Sequence, residues 1–390
     1  MAKVLYILAM LPFLGLLPVS AVSAPLTAEQ LLDLAPLNQH LEDLTKGKIV
    51  AIGLSDVDSD TELKVLMSIL VPASLNDTVA VLQEQSKVNG VLTVEEIGTA
   101  LSDAQLSAVF AKVAYSREEI EEVRRLLKVS AGSKFNFSPE EISLVKRQAD
   151  RLGKDGAADD KAIRAMSSAM ADVLKRRYLA YREKGLDGLT CYKTGDSGKT
   201  NPSRELALAT ESMGMMADLM PSYYNCLRFY PQKCASNFHQ QFFWAKQEEE
   251  GRPLFTLKHL VLDVQPEYAV ITERQFYLNH SLNSLQMVIG CLKHPDGTLV
   301  VVLNQVFTEK VNVGIGKGIA VSIGRKEVEK RVRPMFEHLR AAFSPPSKRG
   351  PGGVSLDIFS YIYKSPFEKG GLSILNGLFS ISSNCSEPCL

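Results

Sequence analysis

His280, Asn283 and Asn304, with Tyr277 and Trp244 in neighbouring β-rich segments, are the residues whose types could do chemistry at one end of a sheet. An imidazole can take a proton as a general base, and amides can hold a polar group in place. No nucleophile is placed beside His280 by the sequence, so no catalytic residue is assigned and a hydrolase is the last of three readings. Phe242 and Trp244 alternate onto one side of their segment, and Tyr277 falls on a related face. The sheet could therefore present aromatic walls with a few polar groups, as ligand pockets do.

Other strings match chemistry only in part. Gly195-Asp196-Ser197-Gly198 repeats part of an active-serine signature, which needs a hydroxyl, a histidine base and an oriented acid. Lys199 stands where a further glycine belongs and no histidine sits in an Ala-His-Cys context, so the string reads as a polar loop. Gly198-Lys199-Thr200 imitates the end of a phosphate-binding loop, but Lys193 occupies the position of its first glycine. Gly314, Gly316 and Gly318 lead from a strand to a helix without the βαβ unit a dinucleotide needs. No cofactor is expected. Asp56, Asp58 and Asp60 open like a calcium loop, yet Thr61 replaces its glycine and Met67 its bidentate glutamate. Met213, Met215, Met216 and Met220 lack a nearby histidine or cysteine and read as adaptable core filler, so no metal site is assigned.

The six cysteines, Cys191, Cys226, Cys234, Cys291, Cys385 and Cys389, lie in the second half of the chain. Cys226 and Cys234 flank a helix-to-sheet break at Phe229-Tyr230-Pro231 and form the best disulfide pair. Cys191 and Cys291 are the leftover pair, against the alternative of small buried thiols.

The address of the chain favours oxidised thiols. One lysine (Lys3), an apolar run from Val4 to Leu17 and the small residues Val19-Ser20-Ala21 make an export signal over residues 1–21. Cleavage is expected after Ala21, since Pro25 blocks the next small-residue site. The run is short for a membrane span of roughly 20 apolar residues, so no stable transmembrane anchor is expected after cleavage. The mature protein is expected to be periplasmic or secreted. Equal counts of 44 acidic and 44 basic residues give no net field to attract nucleic acid, and a protein partner stays unidentified.

The elements that must position these residues follow from periodicity. In 390 residues, 45% of them apolar, there is material for one large or two ordinary cores. Residues 26–100 read as a helix over 26–44, a hairpin of strands at 48–54 and 62–71, and a helix at 74–85. Residues 101–235 form a helical lobe, clearest at 117–127, 139–151, 160–183 and 203–219. Residues 236–343 hold five antiparallel strands, near 238–247, 254–264, 268–277, 284–293 and 298–307, and a closing helix over 320–343. Ile323, Val328, Val332, Phe336 and Leu339 form that helix's buried face, with Pro334 inside it. The Pro-, Gly- and Ser-rich residues 344–390 read as a disordered, acquired tail.

The fold class is thus α+β: an antiparallel meander packed on a long C-terminal helix, with a large helical lobe. In element order, with local echoes at Val71 to Leu82 and Asp296 to Leu339, the chain resembles the helix-grip fold of START-like (SRPBCC) proteins. The passages Tyr181 to Leu186 and Arg274-Gln-Phe-Tyr resemble an uncharacterised family of exported bacterial proteins. The first resemblance implies a curved sheet wrapped on its last helix with an apolar cavity between. The expected cavity residues are Phe242, Trp244, Tyr277, His280, Asn283, Asn304, Ile323 and Phe336. The function that follows is binding or carrying an apolar small molecule or lipid, and the alternative is an envelope interaction module.

Overall fold

The computed structural model describes residues 27, 36–55, 57, 59–85, 91–96, 101–152, 159–194, 198–311 and 317–343. The export signal, most of the first expected helix, Asp56, Asp58, Gly195 to Ser197, Gly314, Gly316 and the tail lie outside them. Elements run in chain order as α1 (Leu41–Thr45), β1 (Val50–Leu54), β2 (Glu62–Val71), α2 (Leu75–Gln85), β3 (Val91–Glu96), α3 (Asp103–Phe110), α4 (Ile120–Leu126), α5 (Pro139–Asp150) and α6 (Asp159–Lys184). They continue as β4 (Tyr192–Thr194), β5 (Gly198–Thr200), α7 (Pro202–Glu211), α8 (Gly214–Leu219), α9 (Pro221–Phe229), β6 (His239–Glu249), β7 (Arg252–Val264), β8 (Tyr268–Leu278), β9 (Ser284–His294), β10 (Gly297–Phe307) and α10 (Lys317–Ala342).

The chain is α+β. Eight strands make one antiparallel sheet in the order β1-β2-β10-β9-β8-β7-β6-β3, and β4 and β5 form a separate hairpin. The meander β6 to β10 forms because each strand is rich in β-branched and aromatic residues and each connection offers turn chemistry. Between β6 and β7 the link is Glu250-Gly251, both at positive φ (54° and 69°), as a tight primed turn requires. The early hairpin joins this sheet when β2 pairs along its whole length with β10, from Val71 opposite Thr298 to Glu62 opposite Phe307.

Helices cover both faces. On one, α2 and α10 lie over Leu63, Val65, Met67 and Ile69 of β2 and over Met287 and Val302, to which α10 contributes Val328, Val332, Phe336 and Leu339. Burying each such side chain contributes about 1.5–3 kcal/mol. Gly324 allows the close approach, since a Cβ there would stand 2.7 Å from Leu63 Cδ1. On the other face, helices α3 to α6 bury Phe242, Trp244, Phe255, Leu257, Phe276 and Tyr277, while α7 to α9 cover Val261, Val270 and Val288.

Inside the lobe, α5 starts at a capping box: Ser138 accepts from the Glu141 backbone, and the Glu141 side chain accepts from the Ser138 backbone, with Pro139 in the first turn. Glu141 then takes Arg177 of α6 in two short buried hydrogen bonds, Nε to Oε1 at 2.6 Å and Nη2 to Oε2 at 2.7 Å.

Three readings need correction. The expected helix over 203–219 is broken at Ser212-Met213 and followed by a further helix, because Gly214 and Pro221 interrupt it. Strand β3 was not expected, yet it pairs with β6 at the edge of the sheet. Cys226 and Cys234 are disulfide-bonded as expected, but Cys191 and Cys291 are not a pair. Cys291 is a free thiol buried in the core under α2 and α10, whereas Cys191 is disulfide-bonded elsewhere. Burial alone pushes the Cys291 thiol up to about 12, so it behaves as a small apolar side chain.

Candidate functional site

An apolar hollow lies on the sheet face opposite α10. Its floor is a grid set by strand register. Val270 of β8 stands opposite Gly290 of β9, which stands opposite Val301 of β10. The flanking rows are Val288 with Leu303 and Leu66, and Tyr268 with Leu292. Gly290 is the one position in its row without a side chain, and a hollow forms over it. A Cβ added there would meet only Leu292 Cδ1 at 3.7 Å and the Val301 carbonyl at 3.9 Å.

The roof is the segment from Ser212 through α8 to Met220, which contributes Met213, Met215, Met216, Leu219 and Met220. The volume of the hollow is about 220 Å³. A dry apolar cavity of about 150 Å³ takes benzene, so this one fits a compact apolar molecule. Ser212 is the polar side chain among roof residues, and it is already engaged: its hydroxyl donates to the Ala209 carbonyl at 3.1 Å and accepts from Gln305 Nε2 at 2.9 Å.

The roof is pinned at both ends and loose between them. Thr210 in α7 lies in a buried network around Arg274, whose guanidinium donates to Gln286 Oε1, Thr210 Oγ1, Tyr181 Oη and the Leu227 carbonyl at 2.9–3.2 Å. Tyr223 in α9 donates to the Val261 carbonyl at 2.8 Å and lies 2.9 Å from Thr272 Oγ1, and the Cys226–Cys234 bridge ties the end of α9 to the approach to β6. Helix α8 between them has no fully buried residue. Methionine suits such a roof, since its unbranched thioether adapts to different shapes.

The eight expected cavity residues do not meet around one space. Phe242 stacks on His259 at a centroid distance of 4.4 Å, Trp244 lies 6.4 Å from Phe255, and Tyr277 carries the Arg177 guanidinium 4.2 Å above its ring. All three face the helical lobe. Tyr277 follows a bulge: Leu257 pairs with Tyr277 but Lys258 with Gln275, which turns both Phe276 and Tyr277 toward the lobe. Asn304 and Phe336 lie on the α10 side, Asn304 in a row with Val65 and Met287. Ile323 is half-buried on α10. The sheet stands between these two groups.

His280 and Asn283 sit in the β8–β9 connection. His280 Nε2 donates to the Pro253 carbonyl at 3.1 Å, so Nδ1 is left to accept from Ser281 Oγ at 2.7 Å. Burial, reinforced by the Arg252 charge, lowers this imidazole to about 3. It is neutral and a weak base, far from the value near the working pH that general-base catalysis favours. Asn283 Nδ2 donates to Glu205 Oε1 at 2.8 Å and Glu309 Oε1 at 3.3 Å. Among the described residues no group of three or more histidine, cysteine, aspartate or glutamate side chains could hold a metal ion.

Neither Gly290 nor the methionine roof was identified from the sequence as a site. The available signal was a lone glycine inside a β-rich segment, preceded far apart in the chain by its complement, a methionine cluster with helix breakers on both sides. No protein-family model matches this chain, and no curated protein or solved structure is significantly similar to it.

Proposed function

We propose that this is an exported binding protein for a compact apolar molecule, held between the methionine roof and the glycine-floored hollow of the sheet. The observation that carries the reading is Gly290: a side chain is missing at the centre of an apolar grid, and the roof above it contributes flexible thioethers rather than filling the gap. The disulfide between Cys226 and Cys234 supports an oxidising compartment, and no described helix is long and apolar enough to cross a membrane. The packing of α10 on the sheet supports a helix-grip-like arrangement, but the ligand is assigned to the opposite face.

Titration of the purified full chain with the apolar fluorophore N-phenyl-1-naphthylamine tests this. Saturable binding is expected in the wild type and a loss of tenfold or more in Gly290→Leu, whose side chain occupies the hollow from an ordinary strand backbone. Equal binding by both proteins, or none by the wild type, removes the proposal.

A further inference from the structure

A second site, sharing no residue with the apolar pocket, is assembled at the N-terminal end of α7 from segments scattered along the chain. Glu205, in the first turn of α7, is buried. Its Oε1 accepts from Asn283 Nδ2 at 2.8 Å and its Oε2 lies 2.7 Å from Ser284 Oγ. Asn283 Nδ2 also reaches Glu309 Oε1 at 3.3 Å, and Thr200 Oγ1 of β5 donates to the same oxygen at 3.3 Å. Two carboxyl groups thus share one amide. Burial and the neighbouring Glu309 charge, working against the hydrogen bonds from Ser284 and Asn283, raise Glu205 to about 8, so it carries a proton at neutral pH.

An acidic pair alone would be a structural curiosity. Beside it, however, the Tyr192 hydroxyl, the Tyr277 hydroxyl and Arg177 Nη1 have no hydrogen-bond partner, on side chains only 3%, 2% and 4% exposed. Tyr192 stands opposite Thr200, whose hydroxyl donates to Glu309, and the Arg177 guanidinium lies 4.2 Å above the Tyr277 ring, while the Glu205 and Glu309 charges both act on the Tyr192 hydroxyl, so the donors and the carboxyl pair belong to one neighbourhood. Each unpaired buried polar group has given up its water without a replacement, which destabilises the fold. Three in one place make a standing free-energy gain for a molecule that supplies matching atoms.

The chemistry of that molecule follows from the atoms. Arg177 Nη1 can only donate, and the Arg177 charge is already matched by Glu141, so the ligand must present oxygen acceptors there. At the other end, Glu309 and a Glu205 carboxyl able to give up its proton suit a cationic donor. Glu309 and its neighbour Lys310 are half-buried, which brings the cluster to the surface on that side.

We propose that Arg177, Tyr192 and Tyr277, with Glu205 and Glu309, bind a small zwitterion of the α-amino-acid type, its carboxylate on the three unpaired donors and its ammonium against the carboxyl pair. Arrival of the ammonium offsets the Glu309 charge and releases the Glu205 proton to solvent.

The test is isothermal titration calorimetry of the full chain at pH 7 with each of the twenty amino acids, and with acetate and methylamine as half-ligands, in two buffers of different ionisation heat. At least one amino acid binds saturably and releases up to one proton, while acetate and methylamine bind tenfold or more weakly. Tyr192→Phe and Tyr277→Phe, which lose hydroxyls that have no partner, keep the ligand-free Tm and weaken binding tenfold or more; Glu205→Gln abolishes the proton release. Absence of saturable binding by every amino acid, undiminished binding in both phenylalanine variants, or a crystal structure grown at saturating amino acid with only ordered water on the three donors, overturns the proposal.

Discussion

Gln286 Oε1 accepts two hydrogen bonds from the single guanidinium of Arg274, from Nε at 3.1 Å and from Nη2 at 2.9 Å. Arg274 is 1% exposed, and its hydrogen-bond acceptors in this network are an amide, two hydroxyls and a carbonyl. They come from β9, α7, α6 and α9, so one side chain of the sheet fastens three helices. A cation kept in the interior by neutral acceptors is sensitive to the loss of any of them.

Gln286→Leu should therefore lower stability by roughly 3 kcal/mol, because two of the buried guanidinium N–H groups lose their acceptor. Urea denaturation followed by circular dichroism measures it. A loss under about 1 kcal/mol would mean that the network relaxes around other acceptors.

Two buried groups make stability depend on pH in opposite directions. The folded value of His280 is depressed, from an ordinary 6.5 to about 3, so its contribution is complete above 6.5 and is lost as pH falls across that window. The folded value of Glu205 is raised, from 4.5 to about 8. Its contribution is complete below 4.5 and declines as pH climbs toward 8, after which it is flat. Glu205→Gln, which keeps a neutral group in hydrogen-bond reach of Ser284, should flatten the alkaline decline between pH 5 and 8 while leaving the acid side intact. Chemical denaturation at unit pH steps gives both slopes. An unchanged alkaline slope in the variant would assign the decline to another group.

Gly185 packs where no other residue fits. Its φ is +60°, and a Cβ would stand 1.8 Å from the Tyr230 carbonyl oxygen. Gly185→Ala combines a left-handed backbone with a backbone collision, and should cost about 3 kcal/mol or more. Differential scanning calorimetry should show a lower Tm, with the stacking of Tyr230 on Tyr181, now 5.5 Å between centroids, disturbed. A Tm within a degree of wild type would show that the α6–α9 junction yields easily.

How far the sequence carries can be read from particular segments. Strand β2 and helix α6 were expected within one or two residues, since Glu62 to Val71 is rich in β-branched and aliphatic residues and Ile163 to Tyr178 keeps one stripe over several turns. The site was not legible. Its centre is an absent side chain at Gly290, and what makes that absence matter is the register placing Val270 and Val301 on either side, a long-range relation no local pattern encodes. Alternation also misplaced the aromatic wall relative to the closing helix, because it says that Phe242 and Trp244 share a face without saying which layer covers it. The same ignorance of layers suggested joining Cys191 to Cys291: Cys291 faces α10, while Tyr192, next to Cys191, lies among the polar groups on the lobe side.

The disulfide and the pocket should be coupled. Cys226 is fully buried in α9, eight residues from Cys234, and closing so short a loop restricts the unfolded chain by about 2.5 kcal/mol. That alone predicts a lower Tm for Cys234→Ser. A second effect follows from position. Helix α9 holds one end of the methionine roof, where Tyr223 still grips the Val261 carbonyl and Arg274 the Leu227 carbonyl, so loss of the bridge frees only the link from α9 to the approach to β6. At its α9 end the roof is then held by Tyr223 and by the Leu227 carbonyl on Arg274, and the N-phenyl-1-naphthylamine affinity of folded Cys234→Ser should fall severalfold, at a temperature well below its Tm. Tyr223→Phe in the same background removes one of the two remaining tethers, leaves the ring edge-on to Phe238, and should deepen the loss beyond the product of the two single effects. Strict additivity of the two changes would show that the tethers act on folding stability without shaping the roof.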